Sequence, residues 1–223
     1  MSAGLVLFDW DGTLVDTRAA LLDSWHRSTA EVIGRRFPST ADEHAWTLRA
    51  RGAEIFARIT ESPSQAAQLS EAFDRAYVLQ SATAFAGVAA ALDDIASEGV
   101  PLGLVTSKAR GRVELDMETS GIGRRFDVVV TGDDVARAKP DPEGVRTAVA
   151  AARASTADVV LVGDTSADLR AGRAAGVRVV HAGWGYGDAK ALSPLADRCC
   201  ATPRELLPAL GELWSQTAGI REV

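Results

Sequence analysis

Lysine is nearly absent from this 223-residue chain: Lys108, Lys139 and Lys190 are the only ones, within 24 basic and 30 acidic residues and a net charge of −6. No basic stripe runs along any segment, so nucleic acid is not expected as a partner. Anionic small molecules stay open, because a metal and one local Lys can hold a phosphate. Cysteine is scarce too. Cys199 and Cys200 are neighbours, which rarely close a bridge and by themselves make no zinc site; a reduced compartment fits them. No apolar run is long enough to span a membrane, and the amino terminus lacks the basic region of a signal peptide. A cytoplasmic protein without a membrane partner is therefore expected. Internal repeats and low-complexity segments are missing as well. What is present is a hydrophobic fraction of 47%, enough for a sizeable core in one domain, or in one domain with a smaller insert.

The chain is organised around Leu5 to Thr17. Leu5 to Phe8 is an apolar run that predicts a strand buried on both faces. It ends in two carboxylates, Asp9 and Asp11, followed by Gly12. In extended backbone, i and i+2 side chains point the same way. Two like charges side by side raise each other's pKa unless something compensates, and a hard divalent cation with oxygen ligands would do so. Gly12 allows a tight turn and the close approach of backbone amides to an anion. A bare Asp-x-Asp is more often an acidic loop; the whole run Asp-Trp-Asp-Gly-Thr-Leu-Val-Asp-Thr after a buried strand is not read that way.

Residues 17–82 carry helical periodicity throughout. Leu21, Leu22, Trp25, Val32 and Ile33 predict one helix, and Trp46, Ile55, Phe56 and Ile59 a second pattern interrupted near Gly52. Leu69, Phe73, Ala76 and Tyr77 predict a third, started by Ser62-Pro63. After residue 82 the rhythm changes. Apolar runs at Pro101 to Val105, Phe126 to Val130, Val159 to Val162 and Val177 to Val180 alternate with helical patterns that stop at Gly99, Gly121 and Gly176, and a final helix is expected over Pro203 to Trp214. This alternation predicts a doubly wound α/β fold with a parallel sheet. Residues 1–16 and 83–223 form its Rossmann-like core, and residues 17–82 an inserted all-helical domain.

In such sheets ligands gather at the carboxyl ends of the strands. Asp9 and Asp11 follow the first strand, Thr106 and Ser107 the second; Lys139 lies in the loop after the third, and Asp164 and Asp168 follow the fourth. Each has a bland reading. Thr106-Ser107 could be a helix N-cap, Lys139 a solvated loop residue, and Gly163 to Asp168 a turn with a helix cap. Their order, each just past a strand, is the weight on the other side. Four carboxylates, a hydroxyl pair and one ammonium suit a metal with a phosphoryl group. The Pro after Lys139 restrains its backbone and so positions its side chain.

Asp9-Trp-Asp11-Gly12-Thr, Val-Thr106-Ser107-Lys108, Lys139-Pro-Asp-Pro and Gly-Asp164-Thr-Ser-Ala-Asp168 resemble the four motifs of the haloacid dehalogenase superfamily, over nearly the whole chain. Gly172-Arg173-Ala-Ala-Gly176, Trp184-Gly-Tyr186-Gly and the helical insert resemble its phosphoglycolate phosphatase-like branch. Trp10 stands where the pattern usually has Phe, and Ser107 where many members have Asn. The resemblance implies a phosphatase of small phosphorylated metabolites, phosphoglycolate or a sugar phosphate. Asp9 would be the nucleophile that forms an aspartyl-phosphate, and Asp11 the general acid and then base. Mg2+ would be held by Asp9, Asp164 and the Asp11 backbone carbonyl, with Asp168 acting through water or orienting its neighbours. Thr106 and Lys139 would hold the phosphoryl oxygens, with the amides of Asp11, Gly12 and Ser107. Related dehalogenases, which attack carbon, lack the second Asp; Asp11 therefore favours phosphoryl chemistry. Arg49 and Arg51, beside Gly52, are candidate contacts to a substrate carboxylate or second phosphate, or simply an exposed charged face. His26 and His44 read as ordinary partly buried histidines, His181 has no motif role, and Trp184 and Tyr186 read as contacts to the helical insert or, more simply, as loop packing. A phosphomutase of the β-phosphoglucomutase kind is the alternative enzyme, and a non-catalytic phosphate sensor the alternative outside enzymes. A monomer or homodimer is expected.

Overall fold

The computed structural model describes residues 4–221 except 49, 51, 79, 81 and 124. Its elements are β1 (Leu5–Phe8), β2 (Val15–Asp16), α1 (Arg18–Ile33), α2 (Ala41–Thr47), α3 (Gly52–Ile59), α4 (Pro63–Tyr77), β3 (Thr83–Ala84), α5 (Val88–Ser97), β4 (Leu102–Val105), α6 (Arg110–Thr119), β5 (Val128–Val130), α7 (Glu143–Ala151), β6 (Val159–Gly163), α8 (Ser166–Ala175), β7 (Arg178–Ala182), α9 (Ala189–Leu192), β8 (Arg198–Cys200) and α10 (Leu206–Arg221). Short 3-10 turns join several of them. The chain divides into two compact units, 1–16 with 83–223 and 17–82.

The first unit is built on a six-stranded sheet in the order β5-β4-β1-β6-β7-β8, parallel at every pairing. β1 is central because it is apolar at every position: Leu5, Val6, Leu7 and Phe8 are all buried. Alternation sends Leu5 and Leu7 to one face and Val6 and Phe8 to the other. The first face joins Val159, Leu161 and Val179 with Val145, Ala148 and Val149 of α7 and Leu169, Ala171 and Ala175 of α8 in one cluster. Both faces of the strand are closed to water, as parallel sheets require. The chain runs from β1 to β4 and β5 on one side, then to β6, β7 and β8 on the other. The order reverses beside β1, and the crevice that forms there lies at the carboxyl ends of β1, β4 and β6.

The second unit is helical. α1 and α4 pack along each other. Trp25 meets Phe56 at 5.5 Å and Phe73 at 4.6 Å between ring centroids, and Phe73 stacks on Tyr77. α1 stops at Gly34, which takes the left-handed φ of 71°. The Ser62 side chain accepts from the Gln65 amide with Pro63 in the first turn of α4, as the sequence predicts. The interruption at Gly52 resolves into two helices, α2 and α3. The chain leaves the first unit after Asp16 and re-enters it at Thr83, and these two ends pair as the antiparallel ribbon β2-β3.

Several boundaries differ from those predicted. β5 spans only Val128–Val130, because Asp127 turns back to bond the Leu102 amide and carbonyl. β7 runs on through His181 and Ala182. β8 is an edge strand with Cys199 exposed and Cys200 buried, so it lacks the apolar run that marks the others; both cysteines are free. The last helix begins after a 3-10 turn at Pro203–Glu205 and extends to Arg221. Among the described residues no helix is long and apolar enough to cross a membrane.

Candidate active site

β1 ends at Phe8 and hands Asp9 to the crevice, its amide still bonded to Val162 O at 2.9 Å as a last rung beside β6. The chain then turns sharply: the amides of Leu14 and Val15 both donate to Trp10 O, and Gly12 takes φ 85°. A side chain at Gly12 would also meet the Asp164 carboxylate, its Cβ falling 2.4 Å from Oδ2. Glycine is needed there for both reasons.

Lys139 is the hub. Its Nζ donates to Asp9 Oδ1 at 2.5 Å, to Asp168 Oδ1 at 2.5 Å and to Val105 O at 3.0 Å, using all three ammonium protons. Lys139, Asp9, Asp164 and Asp168 are all buried. Asp168 fills its second oxygen with the Thr165 amide (2.9 Å) and hydroxyl (2.5 Å), and the Asp168 amide donates back to Thr165 Oγ1. Asp168 thus both completes the capping box of α8 and accepts from Lys139. Asp164 accepts from Thr13 Oγ1 at 3.1 Å and from the Tyr186 amide at 2.8 Å. Thr106 is buried, with its amide on Val130 O and its hydroxyl accepting the Lys108 amide; Ser107 is exposed.

Three carboxylates gather here, and the Lys139 ammonium bonds two of them, Asp9 and Asp168. Carboxylate oxygens of Asp9, Asp164 and Asp168 all lie within 4.8 Å of one another. Burial, then the Asp168 charge, pushes Asp9 up to about 7, against the pull of Lys139. Burial, then Asp168 and Asp9, pushes Asp164 well above the usual carboxylate range. Burial works against the charge on Lys139, but Asp168 and Asp9 outweigh it and raise its pKa. An excess of buried anionic oxygen with no nitrogen or sulfur ligand among it fits a hard divalent cation such as Mg2+.

The structure brings together Asp9, Lys139, Asp164 and Asp168, and Thr106 directly follows Val105, whose carbonyl Lys139 bonds. Asp11 is only partly buried, and its carboxylate is bonded to Lys108 Nζ at 2.8 Å, outside the cluster of Asp9, Asp164 and Asp168; its backbone carbonyl is the atom the resemblance assigns to the metal. Arg49 and Arg51 lie outside the described residues. The loop Gly183 to Gly187 does more than pack. Trp184 Nε1 donates to Thr13 O at 2.8 Å and the Tyr186 hydroxyl to Asp16 Oδ1 at 2.9 Å. A Cβ on Gly185 would fall 2.3 Å from Gly12 O, and one on Gly187 1.9 Å from Asp164 O. This Gly-x-Gly-x-Gly loop therefore presses backbone against both Gly12 and Asp164. His181 is buried, which pushes its pKa down. Sequence reasoning gave no place to Thr13, Thr165 and Lys108, which bond Asp164, Asp168 and Asp11; for Lys108 the signal was its place just after Thr106-Ser107 in a lysine-poor chain.

The sheet order and the carboxylate-lysine edge define a hydrolase of the haloacid dehalogenase type: the profile described as haloacid dehalogenase-like hydrolase matches residues 6–182, and the chain belongs to that family. Among its relatives are pyrophosphatase PpaX of Bacillus velezensis, 32% identical over 84% of this chain and 87% of the relative. Phosphoglycolate phosphatase of Salmonella typhimurium is 34% identical over 92% of each. The crystal structure of CbbY from Rhodobacter sphaeroides in complex with phosphate superposes with a TM-score of 0.79 over 92% of this chain and 96% of that one, at 23% identity. Within the family, the chain is a phosphatase.

Proposed function

We propose that the protein is a Mg2+-dependent phosphatase that hydrolyses a small phosphorylated metabolite, phosphoglycolate or a sugar phosphate, through an aspartyl-phosphate on Asp9. The observation that carries this reading is the placement of Asp9 in the crevice, one oxygen fixed by Lys139 and the carboxylate set among Asp164 and Asp168. The charge excess is what a cation and a phosphoryl dianion together would balance. Asp9, Asp164 and the Asp11 carbonyl would hold Mg2+, which when bound neutralises charge on the phosphoryl oxygens. Asp168 is occupied by Lys139 and Thr165 and serves by orienting them.

The chemistry then falls to this chain's own residues. The free oxygen of Asp9 attacks phosphorus, and the bond to the leaving oxygen breaks as Asp11 delivers a proton to it. Thr106 and Lys139 position the phosphoryl oxygens, with amides of Asp11, Gly12 and Ser107. Asp11 next takes a proton from water, whose oxygen attacks phosphorus; the bond to Asp9 breaks and inorganic phosphate leaves. The helical unit, residues 17–82, is assigned the choice of leaving group, with Arg49 and Arg51 as candidate contacts to its carboxylate or second phosphate.

Phosphate release from phosphoglycolate, sugar phosphates and pyrophosphate, with Mg2+ and with a chelator, tests the proposal. Release from one of the first two, lost on chelation and in Asp9→Asn, is expected. No release, but isomerisation of a hexose 1-phosphate primed by a bisphosphate, would replace the phosphatase by a phosphomutase. Wild-type turnover in Asp9→Asn would sink the nucleophile assignment.

A further inference from the structure

Behind Asp11 lies a set of buried groups to which the reaction above gives no task. Lys108 Nζ bonds Asp11 Oδ1 at 2.8 Å and Asp116 Oδ2 at 2.5 Å, and the Lys108 side chain is 5% exposed. Asp116, from the middle of α6, is buried, and its Oδ2 also accepts the Trp10 indole N–H at 2.9 Å. Trp10 is fully buried and packs edge-on against Phe126 at 6.3 Å. The Lys108 amide is tied in turn to Thr106 Oγ1. The connections close a circuit. Trp10, between Asp9 and Asp11, reaches Asp116 on α6; Asp116 holds Lys108; and Lys108 returns to Asp11.

Burying Asp116 beside a single ammonium is costly for a structural purpose alone. Burial raises its pKa against the pull of Lys108, and buried pairs of this kind seldom add net stability over apolar replacements. What the arrangement does supply is direction. A lysine has a long flexible stem, and an ammonium anchored on one carboxylate can offer a fixed proton to another. A general acid-base group must lie within hydrogen-bond reach of the atom it serves, and small errors of placement are expensive in rate. We propose that Lys108, anchored by Asp116 and by the Trp10 indole, is a positioning residue that fixes the Asp11 carboxylate for proton transfer. Trp10, where the pattern usually has Phe, then has a polar task as well as a packing one. The proposal rests on the reading of Asp11 as acid and base.

A leaving-group series separates positioning from fold. kcat/KM is measured with Mg2+ for an alkyl phosphate, whose alkoxide needs a proton, and for 2,4-dinitrophenyl phosphate, whose phenolate leaves without one. Asp11→Asn is expected to fall about 100-fold or more on the alkyl ester and far less on the aryl ester. Lys108→Met is expected to show the same asymmetry at about 10- to 100-fold. Because Lys108→Met strands Asp116 without its ammonium, Lys108→Met/Asp116→Asn is measured beside it. The double variant regains thermal stability but keeps the asymmetry. An equal loss on both esters, or no loss, in the Lys108 variants while Asp11→Asn keeps its asymmetry overturns the positioning role. An Asp11→Asn variant without asymmetry overturns the acid-base reading, and the proposal with it.

Discussion

Asp9 sits among more negative charge than its ammonium can neutralise, and this decides how its variants behave. Its carboxyl is pushed up to about 7 by burial and by Asp168, so the ionised nucleophile is held at a cost to the metal-free fold. Asp9→Asn should therefore abolish turnover and yet stabilise the metal-free protein by roughly 1–3 kcal/mol at pH 8, read from denaturant unfolding in a chelator. Lys139→Met acts the other way. It leaves Asp9 and Asp168 buried without their donor, which should cost roughly 3–5 kcal/mol and remove turnover. Lys139→Arg should not restore activity, because a planar guanidinium cannot place single protons on Asp9, Asp168 and the Val105 carbonyl together. Asp9 and Asp164 could be singled out in the sequence because each ends an apolar run, and Lys139 because it precedes Pro140 in a chain with only three lysines. The bond from Trp10 to Asp116 could not, since an indole and a carboxylate 106 residues apart leave no local pattern.

At the scale of elements, the helix cap and the reactive edge coincide. The stretch Gly163 to Asp168 reads as a turn with a cap or as site residues; the structure shows the cap, and it also divides the Asp168 oxygens between Thr165 and Lys139. Thr165→Ala should cost about 1 kcal/mol of stability and lower kcat several-fold, since the Asp168 carboxylate loses one of its fixed donors. The loop over Asp164 is less forgiving. A methyl at Gly185 would run into Gly12 O and the Asp164 side chain, at 2.3 and 2.4 Å. Gly185→Ala should therefore move Asp164 and weaken Mg2+ binding by about tenfold or more, seen as a raised Mg2+ requirement for phosphate release. The strands of the sheet interior were readable as continuous apolar runs. β2 and β3, of two residues each, are too short to carry a period, and β8 is an edge strand whose sequence alternates in exposure.

At the scale of the whole molecule, periodicity could name the strands but not their neighbours. That β1 stands between β4 and β6 follows from packing its four buried residues, and this order gathers the site. On the proposed Mg2+ reading, the stability of the molecule should depend jointly on pH and cation. Asp9 and Asp164 have folded pKa values raised above the unfolded ones. A raised group binds more protons folded than unfolded, so its stabilising share is complete below the ordinary carboxylate value and is lost as pH rises, for Asp9 through about 7. His181, lowered by burial, has the opposite sign below its ordinary 6.5, so absolute stability does not isolate the carboxylates. The difference between protein with and without Mg2+ reports on them more directly, because burial, the largest cause of the His181 shift, is the same in both. Protons compete with the cation for the Asp9 oxygens below about pH 7, and above it Asp9 carries its charge in the metal-free protein. The rise in Tm produced by saturating Mg2+ should accordingly be small near pH 5 and grow through pH 7 to a plateau near pH 8, and Asp9→Asn should flatten the profile. A Mg2+ effect independent of pH across that window would contradict the coupling of cation and carboxylates.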